Sequence, residues 1–154
     1  MSGATTEFVY VSYIRATREK VFEALVRPEV ARKYWGHENV SDWEPGSKWE
    51  HVRVQGGRQV ELAGEVLEIE PPRRLVISWA NASEYEDASR HSRVTFELAT
   101  LGEMVRLTVT HDRLVPDSGM AQGIRKGWPL VLASLKSYLE TGQALDVFAE
   151  RRAG

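Results

Sequence analysis

The sequence predicts an α+β fold: a curved, six-stranded antiparallel sheet wrapped around a long C-terminal helix, with two short helices after the first strand. Three observations predict it. From Trp49 to His111, β-branched and aromatic runs alternate with clear turn signals. After Pro116, the residues Trp128, Val131, Leu132, Leu135, Tyr138 and Leu139 recur at steps of three and four, which makes one broad apolar stripe. A chain of 154 residues, 42% apolar and 27% charged, can bury one core and is short for two. We read residues 1–154 as one domain, with its core at about 8–142 and a tail at 143–154.

The elements follow in order. Phe8-Val-Tyr-Val-Ser-Tyr-Ile14 reads as a strand, because branched and aromatic side chains suit a pleated surface. Thr17 is placed as an N-cap, and Val21, Phe22, Leu25 and Val26 follow at helical spacing, so a helix of about two turns ends near Pro28. Pro28 opens a second short helix over Glu29–Trp35, which Gly36 stops. Glu44-Pro-Gly-Ser47 is a turn. Strands are then expected at about 48–54, 58–70, 74–80, 91–99 and 103–111, separated by Gln55-Gly-Gly57, Glu70-Pro-Pro72, the polar loop Asn81 to Arg90, and Thr100-Leu-Gly102. Connections this short join antiparallel neighbours. Val94, Phe96 and Leu98 share one face, as do Val105, Leu107 and Val109, so one side of the sheet is buried. The helix over Gly119–Thr141 would span roughly 33 Å. Pro129 lies inside it and predicts a kink, or a start nearer Gly127.

Charge and motifs exclude several classes. Net charge is −2 and the basic residues are scattered, with adjacent arginines only at Arg73-Arg74 and Arg151-Arg152, so no nucleic-acid partner is expected. With no cysteine there is no disulfide, thiolate metal site or Cys nucleophile. Met1 to Glu7 lack the start of a signal peptide, and no run of about 18 apolar residues would span a membrane, so a cytoplasmic location is expected. His37, His51, His91 and His111 include no pair at metal spacing, and there is no nucleophile elbow or phosphate-cradling glycine loop. Neither metal nor cofactor is expected, and no catalytic set is assigned.

Four segments sharpen the fold: Arg27-Pro-Glu-Val-Ala-Arg-Lys-Tyr-Trp-Gly36, Pro45-Gly-Ser-Lys-Trp49, Gly64-Glu-Val-Leu-Glu-Ile-Glu-Pro-Pro-Arg-Arg-Leu-Val76 and Gly127-Trp-Pro-Leu-Val-Leu-Ala-Ser-Leu-Lys-Ser-Tyr-Leu-Glu-Thr-Gly142. In this order they resemble the activator of heat-shock-protein-90 ATPase homologue branch of the START-like (SRPBCC) superfamily, over roughly residues 8 to 142. The resemblance implies a helix-grip fold whose sheet and long helix enclose a cavity. That superfamily includes lipid carriers, hormone-binding proteins and polyketide cyclases, so fold alone does not select a function. One domain is expected at this length, without the additional N-terminal domain of a eukaryotic co-chaperone of this kind.

Given such a cavity, the inward phase nominates Trp49, His51, Leu75, Ile77, Trp79, Phe96, Leu107, Val109 and His111 from the sheet, and Trp128, Leu132 and Leu135 from the helix, as ligand contacts. Plain core packing is the commoner role for each apolar one. A bulge near Gly46 or Gly64 would invert the phase. A closed void of ~300 Å³ would cost on the order of 7 kcal/mol at ~24 cal/mol per Å³, so a retained one implies use. Trp35, Trp43, Trp49, Trp79 and Trp128 suit the walls of an apolar pocket. The expected function is binding of a small hydrophobic molecule, aromatic, polyketide-like or acyl. The alternatives are a cyclase- or hydrolase-like enzyme using His51 or His111, with Glu61 within reach of His51, and a chaperone-associated interaction module marked by an exposed apolar patch. Edge strands at 8–14 and 48–54 leave a homodimer open.

Overall fold

The computed structural model describes residues 4–148; the Arg151-Arg152 pair and the tail from 149 lie outside the described residues. The element order is β1 (Thr6–Ile14), α1 (Arg18–Val26), α2 (Pro28–Trp35), β2 (His37–Ser41), β3 (Lys48–Arg53), β4 (Gln59–Glu70), β5 (Arg74–Asn81), β6 (Ser92–Leu101), β7 (Met104–Leu114) and α3 (Gly119–Thr141). The strands form one antiparallel sheet in the order β1-β7-β6-β5-β4-β3-β2. This is the helix-grip arrangement, with α3 across the concave face.

The sheet has seven strands rather than the six expected, because His37-Glu-Asn-Val-Ser41 pairs with β3, from His37↔Arg53 to Ser41↔Trp49. Its polar composition carries no strand pattern, yet His37, Glu38 and Asn39 are all buried. Each finds a partner: Glu38 takes Arg32 and Arg58, both at 2.7 Å, and the Asn39 amide donates to the Leu25 carbonyl at 2.8 Å, while His37 meets Glu61. Burial with partners removes most of the cost of a polar strand. It also moves the sheet edge, so that β3 is internal and β2 takes the place expected of 48–54.

Local signals set the helix ends. The Thr17 hydroxyl accepts from Lys20 N, Pro28 opens α2, and Gly36 closes it at φ 73°. The α3 helix runs unbroken through Pro129, capped by Ser118, whose hydroxyl accepts from Ala121 N, and closed by Gly142 at φ 82°. In the pairings of β4 with its two neighbours the register shifts at His51/Val52 and Val66/Glu68, beyond Trp49 and His51, so both side chains keep the inward phase. A small void beside Trp43, Trp49 and Phe96 holds about 10 Å³, room for about one water.

Candidate functional site

The space found between sheet and helix is open to one side. A cleft of about 530 Å³ opens beside the N-terminal half of α3, against β2 to β5. The helix presents Ile124, Trp128 and Val131 to it, one face at steps of four and three. Each of the first two is preceded by a glycine, Gly123 and Gly127, where an added Cβ would meet nothing within 4 Å. Glycine in a helix costs about 1 kcal/mol against alanine, and here no close approach of backbone requires it.

Aromatic rings form the inner wall. Trp128 lies 5.7 Å from Trp35 and 5.4 Å from Trp79, centroid to centroid, and Trp35 meets His51 edge-on at 4.6 Å. Phe148 flanks the cleft, its ring 5.8 Å from that of His37. Gly36 makes room for it, since a Cβ there would stand 2.5 Å from Phe148 Cε2.

The polar end follows from the β2–β3 register. Asn39 stands directly opposite His51, and His37 opposite Arg53, so alternate polar residues of both strands share one face. The His51 Nδ1 lies 2.6 Å from Asn39 Oδ1, and the Asn39 amide nitrogen is committed to Leu25 O. Asn39 therefore accepts, Nδ1 carries the proton, and Nε2 carries the lone pair. Burial, reinforced by the neighbouring His37, holds the His51 ring well below the usual imidazole range, so it is neutral. The His37 ring stacks on it at 4.2 Å and 4°. His37 itself faces two acceptors, Trp35 O at 3.1 Å and Glu61 Oε1 at 2.7 Å. Arg53 Nε approaches Glu61 Oε2 to 2.9 Å, but its N–H is not aimed at that oxygen and makes no hydrogen bond. The Trp79 indole N–H is likewise buried without a partner among the described residues, a deficit of about 1–3 kcal/mol.

All twelve nominated residues are buried. His51, Trp79 and Trp128 line the cleft; Trp49, Leu75, Ile77 and Phe96 border the small void. Leu107, Val109, His111, Leu132 and Leu135 border neither. His111 is fully paired: Nδ1 accepts from Trp128 Nε1 at 3.1 Å, and Nε2 lies 2.8 Å from Ser92 Oγ, whose own proton goes to Trp79 O. The nominated contacts leave out His37 and the glycine face of α3; Trp35 stands in the wall, as the tryptophan pattern predicts, and Glu61, expected beside His51, pairs with His37 instead. A signal for that face is visible in the sequence, the four-residue repeat of Gly119, Gly123 and Gly127. His37 and Glu61 carry no such signal, because strand pairing alone brings them together. Among the described residues no cluster of three or more acidic or histidine side chains is placed to hold a metal, and no helix is long and apolar enough to cross a membrane.

Residues 15–140 match the family model described as Activator of Hsp90 ATPase homolog 1-like protein. No curated protein matches the sequence significantly. Among solved structures, the fold is similar to the Aha1 dimer from Colwellia psychrerythraea, with a TM-score of 0.74 and 22% identity over 90% of this chain and 99% of that one. It is similar to protein MLL2253 from Mesorhizobium loti, at TM-score 0.72 and 26% identity over 88% and 97%. It is also similar to DynU16, from the dynemicin biosynthetic locus, at TM-score 0.73 and 22% identity over 90% of this chain and 48% of that one.

Proposed function

The chain belongs to the Activator of Hsp90 ATPase homolog 1-like family, and we propose that it binds a small apolar molecule, aromatic, polyketide-like or acyl, in the cleft between sheet and α3. One observation carries this: a cleft of about 530 Å³ lies between sheet and α3, walled by Trp35, Trp79 and Trp128 and faced by helical glycines. Its size falls in the ~300–1,000 Å³ range of small-molecule sites. Rigid rings along its wall suit flat apolar ligands. The likeness to a protein of the dynemicin biosynthetic locus is in keeping with a biosynthetic small molecule.

The test is a thermal-shift screen of aromatic, polyketide-like and fatty-acyl compounds, run beside Gly127→Leu. A ligand at a hundred times its Kd adds about 2.7 kcal/mol, or roughly 5–11 °C for a domain of this size. Leucine at 127 projects into open space and favours the helix, so the variant should fold at least as well as the parent. Loss of the ligand shift in that variant supports the cleft. A shift of equal size in both proteins overturns it.

Self-association is a second proposal, favoured by β1. This edge strand leaves Val9, Val11 and Tyr13 exposed on one face, and its outer backbone edge is unpaired within the sheet. Two copies related by a two-fold axis would bury that face, and the Colwellia psychrerythraea relative is a dimer.

A further inference from the structure

The walls of the cleft are held in two different ways. Every lining residue from Trp35 to Val131 lies within a helix or a strand. Val147 and Phe148 lie in the segment 143–148, which follows Gly142 and is neither. Gly142, at φ 82°, turns the chain out of α3. Side chains of α3 then hold the segment. Ser137 Oγ donates to Gln143 O at 2.7 Å, and Thr141 Oγ1 accepts from Gln143 N at 3.1 Å. The fully buried Ser134 hydroxyl accepts from Leu145 N at 3.0 Å. Its own proton has Tyr34 O at 2.7 Å, with Leu145 O next at 3.1 Å, so one atom joins the segment to α3 and to α2.

Resting on the ligand-binding reading, we propose that residues 143–148 are the movable wall of the cleft: a strap, clasped by Ser134 and latched by Phe148, that lifts to admit the apolar molecule and reseats against it. A segment outside the helices and strands, tied by a few side-chain hydrogen bonds, opens at a lower free energy than the ladders around it. The two residues that it brings to the cleft are apolar and half-buried. Small-molecule sites bury most of their ligand, and a cleft open to one side does so only with a wall that closes on it. An aromatic ring on that wall supplies large, rigid contact area.

The seat of the latch is independent of the strap. The Phe148 ring rests on Gly36, which belongs to the α2 C-cap at φ 73° and has no side chain to fill the place. Beside it stands the His37 ring, 5.8 Å away and fixed by Trp35 O and Glu61. Both stay in place when Phe148 leaves.

The test is stopped-flow fluorescence with N-phenyl-1-naphthylamine, an uncharged aromatic probe that brightens in apolar surroundings. It is run on the wild-type chain, Ser134→Ala and Phe148→Ala, with Gly127→Leu as the blocked cleft that identifies the signal. Alanine suits a helix interior at 134, and Phe148 lies beyond the last helix, so both variants keep the fold. A movable wall governs entry and exit alike. Loosening it should raise the association and dissociation rate constants together, each by about tenfold, the scale of one lost hydrogen bond or ring contact. A fixed wall would change dissociation alone. Unchanged rates in Phe148→Ala, or a change confined to dissociation in both variants, overturns the strap and leaves the cleft standing. Binding by both variants but not by the wild type supports the strap, held shut in the parent. Absence of an emission change in all three proteins overturns the strap and the aromatic cleft together.

Discussion

Protonating His111 would set its ring against the Trp128 indole, because Nδ1 now accepts that N–H at 3.1 Å. Burial holds the ring at about 4, the nearby Asp112 charge offsetting only part of the effect, against about 6.5 in an unfolded chain. The folded value lies below the unfolded one, so the unfolded state takes up the proton first as pH falls. Stability present above about 6.5 is therefore lost between about 6.5 and 4. His51, also held down by burial, adds in the same direction. Between pH 7.5 and 5, His111 should account for about 2 kcal/mol of that loss. Urea midpoints at the two pH values check this: His111→Gln, with no proton to gain, should lose about 2 kcal/mol less than the parent. Identical pH dependence in both proteins would mean that the fold does not hold the His111 ring below its unfolded value.

Strand β4 owes its course to one missing side chain. Gly64 lies directly opposite Trp49 in the β3–β4 register, and the Trp49 indole reaches past it to donate to Ser78 O on β5 at 2.8 Å. A Cβ at 64 would collide with that carbonyl and stand 2.6 Å from the indole nitrogen. Neither neighbour is a flexible chain end, so the strands themselves must shift. Gly64→Ala should cost about 3 kcal/mol, read as a lowered denaturant midpoint at unchanged m; a cost under about 1 kcal/mol would show that β4 and β5 can separate. Helix α3 presents the converse case. Gly119, Gly123, Gly127 and Pro129 all weaken its intrinsic preference, yet it is continuous, because Ala121, Ile124, Trp128, Val131, Leu132 and Leu135 bury one face against the sheet and its flanking helices. Packing outweighs propensity here.

Across the whole molecule, the two sheet edges are treated differently. On the β2 side, α2 packs against the strand and Glu38 is flanked by Arg32 and Arg58. On the β1 side, Val9, Val11 and Tyr13 face outward, 49%, 41% and 47% exposed, enough to form an apolar stripe along an unpaired edge. Association of two copies through this stripe should appear in sedimentation equilibrium as a concentration-dependent mass. Val11→Lys, which places like charges together across a two-fold axis, should shift the dissociation constant upward by at least about tenfold. A monomer at every concentration in the parent would end the proposal.

The period of apolar residues determined the order of elements, the long terminal helix and the inward phase of β3, β5, β6 and β7, since periodicity reports which face is buried and needs no knowledge of partners. The Thr17, Pro28, Gly36 and Gly142 signals act within a few residues, and they too were legible. Tertiary structure alone decided the rest. His37–Ser41 is a strand because Arg32, Arg58, Leu25, Glu61 and His51, up to 24 residues away in sequence, satisfy its polar side chains. The same long-range pairing built the polar corner of the cleft. Whether the space between sheet and helix is closed or open to one side depends on how completely side chains interdigitate, a property of volumes in three dimensions that no one-dimensional pattern encodes.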